Sequence, residues 1–167
     1  MVKFSDLLHH QLLFVTGKGG VGKTLTSTSL SLFAASQGKR VCLIQSNDCD
    51  QISPLFNREQ TDPSAQPVKI HPNIDLMNLN MSVNLRAFIL THLGNETLYK
   101  AFMENKIMKT FLESVPGLEQ ISFLGFVAHL AQKQEKYDIT IVDSYASGHF
   151  LSLISTPKSI IDTKLGG

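Results

Sequence analysis

Short apolar runs alternate along the chain with longer stretches whose apolar residues recur every three or four positions, a pattern of strands alternating with helices. Gln11-Leu12-Leu13-Phe14-Val15-Thr16 reads as a buried strand, and Val41-Cys42-Leu43-Ile44 as a second, rich in residues that fill a parallel sheet covered on both faces. Between them Thr24 to Ser36 carries Leu30, Phe33 and Ala34 on one helical side and stops at Gln37-Gly38, so strand, helix and strand form a βαβ unit. Ile74 to Asn80 alternates apolar and polar residues, as a strand near the sheet edge does. From Val83 to about Val115 the period is helical, with Leu85, Phe88, Ile89 and Leu93 before a break at Gly94-Asn95 and Leu98, Phe102, Ile107, Met108, Phe111 and Leu112 after it. Leu118 to Lys136 resumes a helix, and Tyr137-Asp138-Ile139-Thr140-Ile141-Val142-Asp143 is an apolar strand that closes on an aspartate. Ser5 to His10 reads as a short helical lead-in with Leu7 and Leu8 facing inward and His9 and His10 in solvent. Arg58 to Val68, with Pro63 and Pro67, reads as an exposed excursion. The expected fold class is α/β, a mostly parallel sheet flanked by helices.

The chemistry is spelled out between the first strand and the first long helix. Gly17-Lys18-Gly19-Gly20-Val21-Gly22-Lys23-Thr24 has a glycine, four residues, then glycine, lysine and threonine, the phosphate-binding loop of P-loop NTPase-like proteins, in the strand-loop-helix setting it requires. The glycines let the backbone approach a phosphate and aim its N–H groups inward, and the helix N-terminus adds its positive end. Lys23 is then expected to reach the outer phosphates of ATP, and the Thr24 hydroxyl to hold Mg2+. Asp143, at the end of its strand, has the matching position for a carboxylate that holds the same metal or its water.

Composition narrows the alternatives. A net charge of +1 over 167 residues supplies no basic field for nucleic acid and no acidic tail. Cys42 and Cys49 form neither a disulfide framework nor a zinc set, which fits a reducing cytoplasm. No secretory leader and no run of about 18 apolar residues is visible, so neither secretion nor direct membrane insertion is expected.

Lys18 adds a family resemblance. The string Lys18-Gly19-Gly20-Val21-Gly22-Lys23-Thr24 resembles the deviant Walker A motif of the ArsA, tail-anchored-protein-targeting, ParA and MinD ATPases. Asp143-Ser144-Tyr145-Ala146-Ser147-Gly148-His149, followed by Leu151, Leu153 and Pro157, resembles the second switch of the ArsA and tail-anchored-targeting branch, which the ParA and MinD proteins do not share. The resemblance implies that Lys18 reaches the nucleotide of a partner in a homodimer or a pair with a related ATPase chain. It also implies that Gly148 gives room at the γ-phosphate, and that His149 couples nucleotide state to the following helix. The segment Gln45 to Phe56 resembles the first switch, in which an aspartate usually aligned with Asn47 handles the attacking water. An amide holds a water but cannot take its proton, and general-base help is worth about 10² to 10⁴ in rate. Asp48 and Asp50 are the nearby acids, read as solvated loop residues that would have to move to substitute.

The expectation is therefore a single P-loop nucleotide-binding domain over 1–167 with a helical insertion at about 83–135 that handles a protein or anion client. It is expected to be the incomplete, N-terminal portion of a longer family domain. Two functions follow: an ArsA-like ATPase that couples Mg-ATP hydrolysis to dimer closure, or an ATP-binding switch with impaired hydrolysis. A ParA- or MinD-type positioning ATPase lacks a supporting basic or amphipathic terminal helix.

Overall fold

The computed structural model describes residues 4–47, 49–107, 110, 114–115, 117–132, 136–148 and 150–155. After a short helix α1 (Phe4–Leu7) come β1 (Leu12–Gly17), α2 (Lys23–Ser36) and β2 (Val41–Gln45), then β3 (Ser64–His71) and β4 (Ile74–Asn78). Helices α3 (Met81–Leu93), α4 (Glu96–Glu104) and α5 (Leu118–Gln132) follow, and β5 (Ile139–Ala146) returns to the sheet. The strand order is β1-β5-β2-β4-β3, parallel except for the antiparallel β3. This is the expected α/β architecture.

Alternation along the central strands builds two cores, because successive side chains point to opposite faces. Leu43, Ile141 and Leu76 join Leu30 and Ala34 of α2 on one face, where Leu7 and Leu8 also pack. Ile44, Val142 and Met77 join Phe123 and Val127 of α5 on the other. All of β2 is buried, as its unbroken apolar run requires. By contrast β1, the phosphate-loop strand, pairs among the described residues only with β5 and stays half-buried along most of its length.

One expectation changes here. The Arg58–Val68 excursion holds the start of β3, which becomes the edge strand, while the strand from Ile74 lies near the edge as expected, between β2 and β3. Pro67 hides β3 from a pattern reading, yet an edge strand tolerates proline, and the ladder skips from Ser64 to Val68 around it. Along the helical stripe Leu85, Phe88 and Ile89 are half-buried on α3, Ile107 is 82% exposed, and Met108, Phe111 and Leu112 lie outside the described residues.

At the end of the sheet away from the phosphate loop, Arg40 and Asp138 clamp the starts of β2 and β5. The Arg40 backbone N–H and Nε donate to Asp138 Oδ2 at 2.8 and 3.1 Å, Nη2 donates to Oδ1 at 2.8 Å, and the Asp138 N–H donates to the Arg40 carbonyl at 2.8 Å. These bonds, the Arg40 side chain's foremost, hold the Asp138 carboxyl down at about 2. The folded value lies below the unfolded one, so the stabilisation is complete above the ordinary carboxylate range and is lost as pH falls through it towards 2. Thermal melts of wild type and Asp138→Asn are expected to differ by a few degrees at neutral pH and to converge between about pH 5 and pH 2, a modest effect because the pair is solvent-exposed.

Candidate phosphate-binding site

The loop at 18–22 turns β1 into α2 through left-handed backbone at Gly20 (φ 76°) and Gly22 (φ 87°), conformations that a side chain would strain. Gly22 caps α2 without a side-chain hydrogen bond and the first turn holds no acidic residue, so the helix's leading N–H groups are left for an anion. Lys23 folds back over the loop, with Nζ 3.4 Å from the Lys18 carbonyl.

On the neighbouring strand, Asp143 Oδ2 accepts a 2.6 Å hydrogen bond from Thr24 Oγ1. Its other oxygen, Oδ1, is buried with no hydrogen-bond partner among the described residues. Burial pushes this carboxyl up from its ordinary value, and the Thr24 bond and the Lys23 charge only partly oppose it. A hydroxyl and a carboxylate with a free buried oxygen are hard oxygen donors, so these residues fit Mg2+, which takes one or two carboxylates and completes its shell with water and phosphate oxygens.

The segment after β2 forms the facing wall, held by two buried side chains. Gln45 Nε2 donates to the Cys49 carbonyl at 2.6 Å and its Oε1 accepts from the Gln51 N–H at 3.1 Å. Asp50 Oδ1 accepts from the Ile52 and Ser53 N–H groups at 2.9 Å, and Oδ2 accepts from the Thr61 N–H and hydroxyl at 3.0 and 2.8 Å. Burial works to raise Asp50, but the hydrogen bonds from Ser53 and Thr61 outweigh it and leave the carboxyl below its ordinary value. Asp50 is thus not a solvated loop acid: it is a buried anchor whose oxygens are committed. Asp48 lies outside the described residues.

These walls enclose a cavity of about 410 Å³. Of the residues singled out by sequence, Gly20, Gly22, Lys23, Thr24, Asn47 and Asp143 line it. Gly17 sits at the end of β1, where a Cβ would come within 2.9 Å of Val21 Cγ2, and Lys18, Gly19 and Val21 are exposed on the loop outside the cavity wall. Gly148 is exposed in a helical segment with open space about it, also outside the wall, and His149 and Pro157 lie outside the described residues. Sequence reasoning gave no role to Ser46, Gln51 and Ser144, which line the cavity as well. Ser46 and Ser144 stand two positions after Ile44 and Val142, which close the apolar runs of their strands; that placement was visible, but their burial was not.

A glycine-rich loop between a strand and a helix, facing an aspartate of the neighbouring strand that is bonded to the loop's threonine, defines a P-loop NTPase-like protein. The chain belongs to the anion-transporting ATPase (ArsA) family, whose sequence profile matches residues 10–165. It is 29% identical over 168 residues to ATPase GET3 of Komagataella phaffii, covering 93% of this chain and 48% of that protein. It is 31% identical over 162 residues to ATPase ASNA1 homolog 1 of Paramecium tetraurelia, covering 92% and 46%. It is 27% identical over 154 residues to putative arsenical pump-driving ATPase 2 of Aquifex aeolicus, covering 90% and 50%. The chain spans about half the length of the curated relatives it matches. Among the described residues no helix is long and apolar enough to cross a membrane.

Replacing Asp50 by alanine leaves the donors of Ile52, Ser53 and Thr61 without their acceptor. Stability to urea is expected to fall by about 2 to 4 kcal/mol, with protease cleavage appearing first between residues 45 and 61.

Proposed function

We propose that the chain binds Mg-ATP in the 410 Å³ cavity and works as a nucleotide-gated ATPase unit of the ArsA type. The observation that carries this reading is the Thr24–Asp143 hydrogen bond beside a buried, unpartnered carboxylate oxygen, at the mouth of a glycine-rich loop. In this reading Gly17 to Thr24 cradle the phosphates with backbone N–H groups, Lys23 neutralises the outer phosphates, and Thr24 and Asp143 hold Mg2+. The metal, when bound, neutralises charge on the β- and γ-phosphate oxygens. Residues 1–167 act as one nucleotide-binding domain, with the helices at about 83–135 forming the part that meets a protein or anion client. A hollow of about 330 Å³, lined by Val83, Leu90 and Phe126 together with residues of β3, supports a client surface there.

Lys18 belongs to a dimer contact in this proposal, reaching a second nucleotide in a homodimer or a pair with a related chain. Its exposure, beside Val21 and Leu25 at 62% and 65% exposed, supports a partner-covered surface. Closure of that dimer on ATP, in a cytoplasmic setting, is the step that would move or capture the client.

A second reading, an ATP-binding switch with impaired hydrolysis, is favoured by Asn47 on the cavity wall and by Asp50 buried in the loop behind it. Asn47 lines the cavity but cannot accept a proton, and Asp50 cannot replace it without giving up the four bonds that fold its own loop. Phosphate release from Mg-ATP tests both readings. Slow release that vanishes in Lys23→Ala and Lys18→Ala supports the ATPase. A rise of about 10² in Asn47→Asp supports the impaired switch, and an unchanged rate in that variant argues against it.

A further inference from the structure

A second hollow, of about 230 Å³, opens at the end of the sheet away from the phosphate loop, where β2, β4 and β5 begin. Arg40, Lys69 and Lys136 line it, and Asp75 is the one carboxylate among the lining residues. Asp75 stands opposite Lys69 in the β3–β4 ladder, with Lys69 Nζ 2.6 Å from its Oδ1 in an ion pair and the Tyr137 hydroxyl donating to its Oδ2 at 3.0 Å. Oδ1 is buried and the side chain as a whole is 14% exposed, so little of this charge faces the hollow. Asp138, behind the wall, is held by Arg40, and Lys39 acts on the same carboxyl. Lys136 is exposed, with Nζ 5.1 Å from the centre of the Tyr137 ring and no acid at ion-pair distance among the described residues.

The four cations Lys39, Arg40, Lys69 and Lys136 thus meet the two carboxylates Asp75 and Asp138, which leaves two positive charges at one end of a chain whose total is +1. Like charges gathered round a concavity repel one another, and its walls focus their field on an anion that enters. A phosphate monoester carries about −1.5 to −2 at neutral pH, which matches that surplus as a single carboxylate does not. The hollow is also smaller than the roughly 300 Å³ at which sites for drug-sized ligands begin, so the bound group is small. We propose that this hollow is an anion site for a phosphate monoester, with Lys136 and Lys69 donating to its oxygens and the Asn73 side-chain amide adding a donor. It shares no lining residue with the nucleotide cavity at the other end of the strands and stands independently of the nucleotide reading.

Residue-resolved nuclear magnetic resonance of the full chain, titrated with glycerol phosphate, tells the two ends of the sheet apart. Saturable shifts are expected at the backbone amides of Val41, Asn73 and Tyr137, with a dissociation constant on the order of 1 mM. Lys136→Gln is expected to weaken this binding about tenfold and Lys136→Arg to keep it within about threefold of wild type. Lys136 is exposed, and amides that stay in place elsewhere in the spectrum report that both variants are folded. Co-sedimentation with phosphatidylcholine vesicles that carry phosphatidate identifies the source of the phosphate. Binding to glycerol phosphate alone assigns a soluble ester, and vesicle binding that is lost in Lys136→Gln assigns a lipid headgroup. Binding to neither probe, shifts confined to the loop from Gly17 to Thr24, or equal affinity in Lys136→Gln would overturn the anion site.

Discussion

The 2.6 Å hydrogen bond from Thr24 to Asp143 joins residues 119 apart in sequence, and the rest of the site follows from what is needed to make it. Thr24 is positioned by the left-handed turn at Gly20 and Gly22 that starts α2. Asp143 is positioned by β5, which lies between β1 and β2 and is buried through Ser144. Parallel pairing on both sides of β5 brings the ends of β1, β2 and β5 to the same edge of the sheet, where loops in open α/β folds gather their ligands. The cost is visible in Asp143 itself: burial raises its carboxyl, and one oxygen has no partner. That penalty is the stored requirement for a cation or bound water.

The facing wall obeys a different constraint. The segment after β2 must be rigid enough to form a pocket although it is irregular, and Gln45 and Asp50 achieve this by bonding backbone groups that no strand or helix satisfies. An acid used in this way is unavailable for proton transfer. The chain belongs to the anion-transporting ATPase family, and the oxygens of Asp50 are committed to its own loop rather than to the cavity beside Asn47.

Much of this was legible in the sequence because it rests on local periodicity and on glycine spacing. Each strand and helix of the βαβ unit, the strand that carries Asp143 and the loop from Gly17 to Thr24 holds its signal within about a dozen residues, although that strand runs three residues past Asp143 to Ala146. β3 was not legible, since Pro67 reads as loop unless the strand is known to lie at an edge. Asp50 and the two serines were misread or passed over because burial of a polar residue in a loop depends on contacts as distant as Thr61, which no local pattern encodes. Gly148, named on resemblance, stands apart from the cavity wall.

The central claim is that the cavity takes a nucleotide together with a divalent cation held by Thr24 and Asp143. Titration of the chain with ATP in Mg2+ and again in EDTA tests it most directly. The account predicts binding with Mg2+ that weakens at least tenfold on chelation. ATP binding of equal strength with and without Mg2+, or none in either, would contradict it.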